Sequence, residues 1–496
     1  MSTNPMYKPT GGKWYSNPWV KWGVPVLVIA AIVGGVVGGV VGSKNSGSNK
    51  NVSGATAGNE NGGSSSHSPS STSAGQTSGA TATGTSAAPS ATASVTPVTR
   101  WDFSTNKMKR WMNEDWIIEK AGADAWDEWT FTSILGKDAA LPILQDHWNT
   151  WITEDDIEFM HQSGINHLRI PVAFWHFIPT LADEPYLAMS GQIEQVERIM
   201  QYAYARGMYV LMDMHGLPGS QNGEQQSGHN TTDVRWYQDA YQQRTTQTIA
   251  AFITWMENTP YRSIISAFDA CNEPRPYTDQ QFTMLRTYYE NTYQALKASS
   301  NPIPMMMAHG YPTDALNYWL EFVSAHVTTP PSLLYSDHPY PGNFPPQTDQ
   351  QGILNQVCND AKRYIGYPVP TCITEWSLYT GVKTSDFENQ FYAAQVSTWN
   401  WLAGGTYWSY RVIPSKDQLA GGLDYTQYSF ETLAKAGGVP LPTSATETPE
   451  AYFAGLTNYC GAEPATGSQN WPTVQPSAWP GTSSTKRRGK RQAFVA

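Results

Sequence analysis

IISAFDACNE, residues 264–273, reads as a short buried strand that runs directly into an amide and a carboxylate. A brief apolar run bounded by polar residues fits a strand covered on both faces, the usual state of a parallel sheet. Six further runs share the pattern: INHLRIPV (165–172), MYVLMDMH (208–215), PMMMAHG (304–310), LLYSDHPY (333–340), TCITEW (371–376) and GTYWSY (405–410). Helix-length segments separate them. In GQIEQVERIMQYAYARG (191–207), Ile193, Val196, Ile199 and Met200 recur at helical spacing and Gly207 is a natural C-cap. QQFTMLRTYYENTYQALKAS (280–299) is a second helical pattern. Strand–helix alternation predicts an α/β fold with a parallel sheet, and seven such strands favour a (β/α)8 TIM barrel over a doubly wound sheet. No GxGxxG or phosphate loop follows any strand, which removes the main nucleotide-binding alternative.

Polar residues cluster where these strands end. Arg169, His215, Asn272 with Glu273, His338 with Tyr340, Glu375 and Trp408 all lie in or just beyond predicted strands. In a barrel the C-terminal strand ends converge on one face, so residues remote in sequence meet in one pocket. A lone Glu or His at a strand end is more often a structural hydrogen-bonder. Six polar clusters on six strands point instead to a site. Two carboxylates facing each other suit glycoside hydrolysis: one acid protonates the departing oxygen while the other carboxylate attacks the anomeric carbon. Asn272 would orient the sugar 2-hydroxyl, and Arg169 would pair with Glu375, since a nearby cation favours a charged carboxylate. His338 and Tyr340 would tune the acid, and Trp408 would form an apolar floor for the sugar.

His215-Gly-Leu-Pro-Gly-Ser-Gln-Asn-Gly223, Asn272-Glu273-Pro274, His338-Pro339-Tyr340, Thr374-Glu375-Trp376-Ser377 and Tyr407-Trp408-Ser409-Tyr410 together resemble glycoside hydrolase family five. More narrowly they look like the fungal exo-β-1,3-glucanases. HWNTWITEDD (147–156) and NHLRIPV (166–172) extend the likeness, which covers roughly residues 100–463. The resemblance implies a TIM barrel, a retaining mechanism, and neither metal nor cofactor. It assigns Glu273 as acid/base and Glu375 as nucleophile, with Arg169, His215, Asn272, His338, Tyr340 and Trp408 around the substrate.

Two segments depart from that family. Members open the barrel with a glycine-rich first strand, where this chain has KMKRWMNEDW (107–116). Strand 1 is therefore missing, shortened or built from other residues. Glu114 stands in for a carboxylate with which the family binds the terminal sugar. After Gly223 the family commonly carries an aromatic, an acid and an amide, but this chain has Glu224-Gln225-Gln226. Those residues would rim the pocket and bear on linkage and on exo or endo preference.

The flanks read differently from the domain. Residues 1–21 are mostly polar, with Lys8, Lys13 and Lys21, and form an expected cytoplasmic tail. WGVPVLVIAAIVGGVVGGVVG (22–42) is uncharged and long enough for a transmembrane helix, where a signal h-region would be shorter and nearer the start. Residues 43–97, almost all Ser, Thr, Gly, Ala and Asn, cannot build a core and read as a disordered stalk suited to O-glycosylation. The domain then spans 98–463, and 464–496 is a polar tail ending in a basic cluster at 486–491. Asn51-Val52-Ser53 and Asn230-Thr231-Thr232 are N-glycosylation sequons. The expected arrangement is a single-pass type II membrane protein with its domain outside, at the cell wall.

Composition narrows the partner. A net charge of −10 argues against nucleic acid, which needs dense positive charge, while 20 Trp and 27 Tyr supply flat faces of the kind that sugars stack on. The expectation is a monomer hydrolysing, or transglycosylating, β-glucan polysaccharide, exo-β-1,3 first, then β-1,6 or mixed linkage. A catalytically weak glucan-binding wall protein is the rival from another class. Cys271, Cys358, Cys372 and Cys460 have no metal spacing. Three disulfide connectivities are open to them, with Cys271 in a buried strand a candidate free thiol.

Overall fold

The computed structural model describes residues 108–109, 120–121, 124–412, 425–443, 447, 449–466 and 471. The 22–42 span, the 43–97 stalk, the Asn51 sequon, Glu114 and most of 464–496 lie outside them. Among the described residues no helix is long and apolar enough to cross a membrane.

The strands are β1 (Met108–Lys109), β2 (His167–Ala173), β3 (Tyr209–Gly216), β4 (Ile265–Asp269), β5 (Met305–Ala308), β6 (Leu333–Asp337), β7 (Thr371–Trp376) and β8 (Gly404–Tyr407). Their order is β1-β8-β7-β6-β5-β4-β3-β2, and every neighbouring pair is parallel. Between residues 124 and 166, all described, lie α1 (Glu128–Leu135), α2 (Lys137–Thr150) and α3 (Glu154–Gln162), ahead of β2. One long helix then follows each of β2 to β7: α4 (Gln192–Ala205), α5 (Asp239–Asn258), α6 (Asp279–Ala298), α7 (Ala315–Ala325), α8 (Gln350–Lys362) and α9 (Ser385–Trp399). This is the alternation expected of a (β/α)8 barrel, nearly closed, with Met108–Lys109 the described part of its first strand.

Each predicted strand is present: those at 264–273, 304–310, 333–340 and 405–410 are trimmed at their polar ends, β2 and β3 run one residue past theirs, and β7 has the predicted bounds. β4 stops at Asp269, so Asn272 and Glu273 stand on the loop just beyond it. The helix over 191–207 forms as Gln192–Ala205, and Gly207 takes φ +67°, the left-handed backbone a helix terminus favours.

Side chains that alternate along the strands fill the inside of the barrel. Leu211, Ala267, Met306, Leu334 and Cys372, one from each of β3 to β7, and Ala403 just before β8 make a small apolar cluster separate from the core between sheet and helices. Two residues further along β3, β4, β6 and β7, on the same face of each strand, come Asp213, Asp269, Ser336 and Thr374, all buried. The barrel thus carries a polar layer directly above an apolar one. The site is built on that layer.

The seam beside β1 is tied by side chains. Tyr410 Oη donates to Asp156 Oδ1 at 2.8 Å, and Arg411 bridges Asp156 (2.5 Å) and Glu431 (2.6 Å). These contacts join α3, which leads into β2, to the segment leaving β8. Cys358 on α8 pairs with Cys460, while Cys271 and Cys372 are buried thiols. Trp471 donates its indole N–H to the Ile365 carbonyl at 3.0 Å and packs edge-on against Tyr367. Chain beyond position 463 therefore still touches the barrel.

Candidate active site

Arg169, at the middle of β2, is fully buried. Its guanidinium meets three carboxylates: Asp213 at 3.0 Å, Asp269 at 3.0 Å and Glu375 at 2.8 Å. It also donates to Asn272 Oδ1 at 2.9 Å. A planar five-donor fork can serve several acceptors in fixed directions, as a lysine could not. Asn272 in turn donates to His215 Nε2 at 3.2 Å, and His215 Nδ1 donates to Asp213 Oδ2 at 2.5 Å. Arg169, Asn272, His215 and Asp213 therefore form a closed ring. Trp408 lies parallel to His215, with centroids 5.5 Å apart, and its face is 5.9 Å from the Arg169 guanidinium carbon.

The two glutamates stand on either side of His338. Its Nδ1 is 2.8 Å from Glu273 Oε1 and 3.5 Å from Glu375 Oε2, and its Nε2 is 2.9 Å from Thr374 Oγ1. Tyr340 Oη donates to Glu375 Oε2 at 2.8 Å. That places Tyr340 on Glu375 rather than on the acid that the sequence reading had it tune, while His338 reaches both. Glu273 and Tyr340 adopt φ +42° and +40°, left-handed backbone that costs a side-chain-bearing residue on the order of 1–2 kcal/mol. Such outliers cluster at functional sites.

Burial disfavours charge on Glu273, but the His338 hydrogen bond and charge, with Arg275 and Tyr311, outweigh it and hold the carboxyl well below its usual range. Burial likewise disfavours imidazolium at His338, yet Glu375 and Glu273 raise it to about 9. The resting site thus keeps its mobile proton on His338, one hydrogen bond from Glu273. Burial, opposed by Arg169 and reinforced by Asp213, raises Asp269 to about 6.

A stability prediction follows from His338. Its folded-state pKa lies above the unfolded value of about 6.5, so its contribution is fully present below that pH and is lost as pH rises through about 9. The melting-temperature gap between wild type and His338→Gln should narrow between pH 6.5 and 9.5. A gap that stays constant would mean imidazolium is not the form held.

Glu273, His338 and Glu375 each bring a donor atom within 4.8 Å of the others. Among the described residues this is the group able to collect a cation. The same spacing suits proton exchange and attack between two carboxylates. A cavity of about 170 Å³ opens beside Glu273, lined in part by His309, Tyr311 and Asp337. A larger one of about 380 Å³ is lined by Ser163, Gly164 and Gly404, at the opposite, N-terminal end of the strands. The chemistry gathers at the C-terminal end, as barrels position it.

Residues 102–410 match the model of Cellulase (glycosyl hydrolase family 5). The chain belongs to glycoside hydrolase family 5. Within that family it is similar to proteins named probable glucan 1,3-beta-glucosidase A. The one from Aspergillus fumigatus (strain CBS 144.89 / FGSC A1163 / CEA10) is 31% identical over 264 residues, 53% of this chain and 60% of that protein. The one from Aspergillus niger is 30% identical over 346 residues, 60% of this chain and 80% of that protein. The chain therefore spans 60% of the length of the first of these relatives. Rutinosidase from Aspergillus niger superposes with TM-score 0.59 at 21% identity, over 68% of this chain and 99% of that structure, a likeness of fold.

Seven of the eight named family 5 positions from the flanking strands and loops meet here as one cluster: Arg169, His215, Asn272, Glu273, His338, Tyr340 and Glu375, with Trp408 as the eighth beside them. Glu114 lies outside the described residues. Sequence reasoning missed Asp213, Asp269 and Thr374. The signal was present, because Asp213 and Asp269 are charged residues inside otherwise apolar strands, and such residues are rarely buried without a partner.

Proposed function

We propose that this family 5 domain is a retaining hydrolase of cell-wall β-glucan, with exo-β-1,3-glucanase activity the first reading. The observation that carries it is a carboxylate oxygen of Glu273 within 4.8 Å of one of Glu375, with His338 between. Retaining glycosidases hold their carboxyl groups about 5–5.5 Å apart, whereas inverting ones leave room for a water between them. Glu375, bound by Arg169 and Tyr340, attacks the anomeric carbon. Glu273, resupplied through His338, protonates the leaving oxygen and then activates water.

The names of the curated relatives support the β-1,3 linkage. Exposed Tyr277, Tyr311 and Phe344, on the loops after β4, β5 and β6, offer ring faces to a glucan on the acid's side of the mouth. The 22–42 span is proposed to anchor the protein with this domain outside.

The deciding assay is sugar release from laminarin, with Glu375→Ala as control. Glucose as the sole early product, absent with the control, is the expected result. Release from pustulan or lichenan alone would move the linkage to β-1,6 or mixed. A folded protein inert on all three would leave a glucan-binding wall protein.

A further inference from the structure

Glu273 has two carboxyl oxygens, and only one is accounted for by His338. The other, Oε2, accepts from Gln226 Nε2 at 3.2 Å. Gln226 belongs to the stretch Glu224-Gln225-Gln226 that follows Gly223. It sits in a single 3₁₀ turn, Gln225–Ser227, in the loop between β3 and α5.

That turn is rigidly held. Ser227, buried, donates through its backbone N–H (3.1 Å) and its hydroxyl (2.8 Å) to the Glu224 carbonyl, and its Oγ lies 2.6 Å from Ser220 Oγ. The turn is also fastened to the loop that carries Glu273. Gln221 Nε2 donates to the Asn272 carbonyl at 2.9 Å, the Arg275 N–H donates to the Gln221 carbonyl at 3.1 Å, and Arg275 pairs with Glu224 at 3.2 Å. The amide therefore reaches Glu273 from a platform braced against the acid's own loop. A site group held this way loses little entropy when it acts.

We infer that Gln226 is a positioning residue for the acid/base, fixing the Glu273 carboxylate through the oxygen that His338 does not bind and favouring its ionised form. This rests on the reading of Glu273 as acid/base. An amide N–H donated to a carboxylate stabilises the anion and not the neutral acid. In the first half-reaction the Glu273 proton passes to the glycosidic oxygen as the C–O bond breaks and Glu375 bonds to the anomeric carbon. Glu273 is left as the anion that Gln226 holds. In the second, that anion takes a proton from water as the hydroxyl oxygen bonds to the anomeric carbon and Glu375 departs. Gln226 thus stabilises the product state of the first step and the reactant state of the second.

Several groups face Glu273 and set the background for a pH test. They are His338 after β6 with Asp337 behind it, Tyr311 after β5, Glu375 on β7, and Arg275 on its own loop, paired with Glu224. None is altered by changing Gln226.

The test compares wild type with Gln226→Leu, which keeps bulk but removes the donor, and Gln226→Glu, which sets a second carboxylate beside Glu273. Loss of the donor raises the proton affinity of Glu273, so the acidic limb of kcat on an aryl β-glucoside, where the second step needs Glu273 ionised, should move to higher pH, by roughly half a pH unit to one for Leu. It should move further for Glu. On that substrate, whose good leaving group needs no acid, kcat/KM should stay within about twofold. Unmoved acidic limbs, or kcat/KM losses on the aryl glucoside as large as those on laminarin, would overturn the inference and leave Gln226 a structural rim residue. Wild-type turnover that survives Glu273→Ala would instead sink the acid/base reading itself. The two failures are therefore distinguishable.

Discussion

Glu375→Ala is expected to lose turnover by on the order of 10⁴–10⁶-fold, the scale on which removal of a covalent nucleophile usually acts. The geometry concentrates the consequence. Arg169 Nη1 and Tyr340 Oη both aim at this one carboxylate, at 2.8 Å each, and neither can attack a carbon in its place. Azide is small and anionic, so it can enter the vacated space beside Arg169 and attack from the same face. Rescue should give a glycosyl azide of inverted configuration, because one displacement then replaces two. Glu273→Ala should be rescued with retention, since Glu375 still forms the covalent intermediate. Product configuration, read by proton NMR, decides between them. Were the stereochemical outcomes exchanged, the roles of Glu273 and Glu375 would be exchanged as well.

The largest stability effect is expected from Arg169→Met. Methionine fills similar space but leaves Asp213, Asp269 and Glu375 facing one another without their shared cation. Breaking a buried ion pair by removing one partner costs about 3–5 kcal/mol, because the remaining charge is stranded. For a domain this size that corresponds to a fall in melting temperature of roughly 5–10 °C. The sign of the pH dependence is fixed by the same argument. Stranded carboxylates prefer to bind protons in the folded state, so their folded-state pKa values lie above the unfolded ones. The deficit is then smallest near pH 4–5 and grows as pH rises towards 8. Asp269, raised to about 6 even with Arg169 present, already leans that way. Thermal melts of both proteins at pH 5 and pH 8 test this, and an equal deficit at both would show that lost packing, not stranded charge, is the cause.

Gln226 shows where sequence reading stops. Its place in the departure after Gly223 marked it as a rim residue, and nothing local announced that its amide would meet Glu273. That contact depends on a 3₁₀ turn and on an Arg275–Glu224 pair between loops that follow different strands. Tyr340 is a similar case. Its neighbourhood at the end of β6 was legible, but which glutamate it serves was not, since the left-handed backbone at the residue itself aims the ring.

The sequence by itself determined the alternation of strands and helices and the strand ends at which polar residues would gather. Both follow from local physics: apolar runs of strand length, helical spacing of apolar residues, and charged groups that an apolar strand cannot bury unpaired. It left the first strand open between missing, shortened and built from other residues, and among the described residues Met108–Lys109 pair with β8. Only the tertiary structure decided how those ends meet. It set Arg169 among three carboxylates, placed His338 between two glutamates and paired Cys358 with Cys460. The physical reason is that register and barrel closure set the distances between strands, and no residue's own neighbours in the chain encode them.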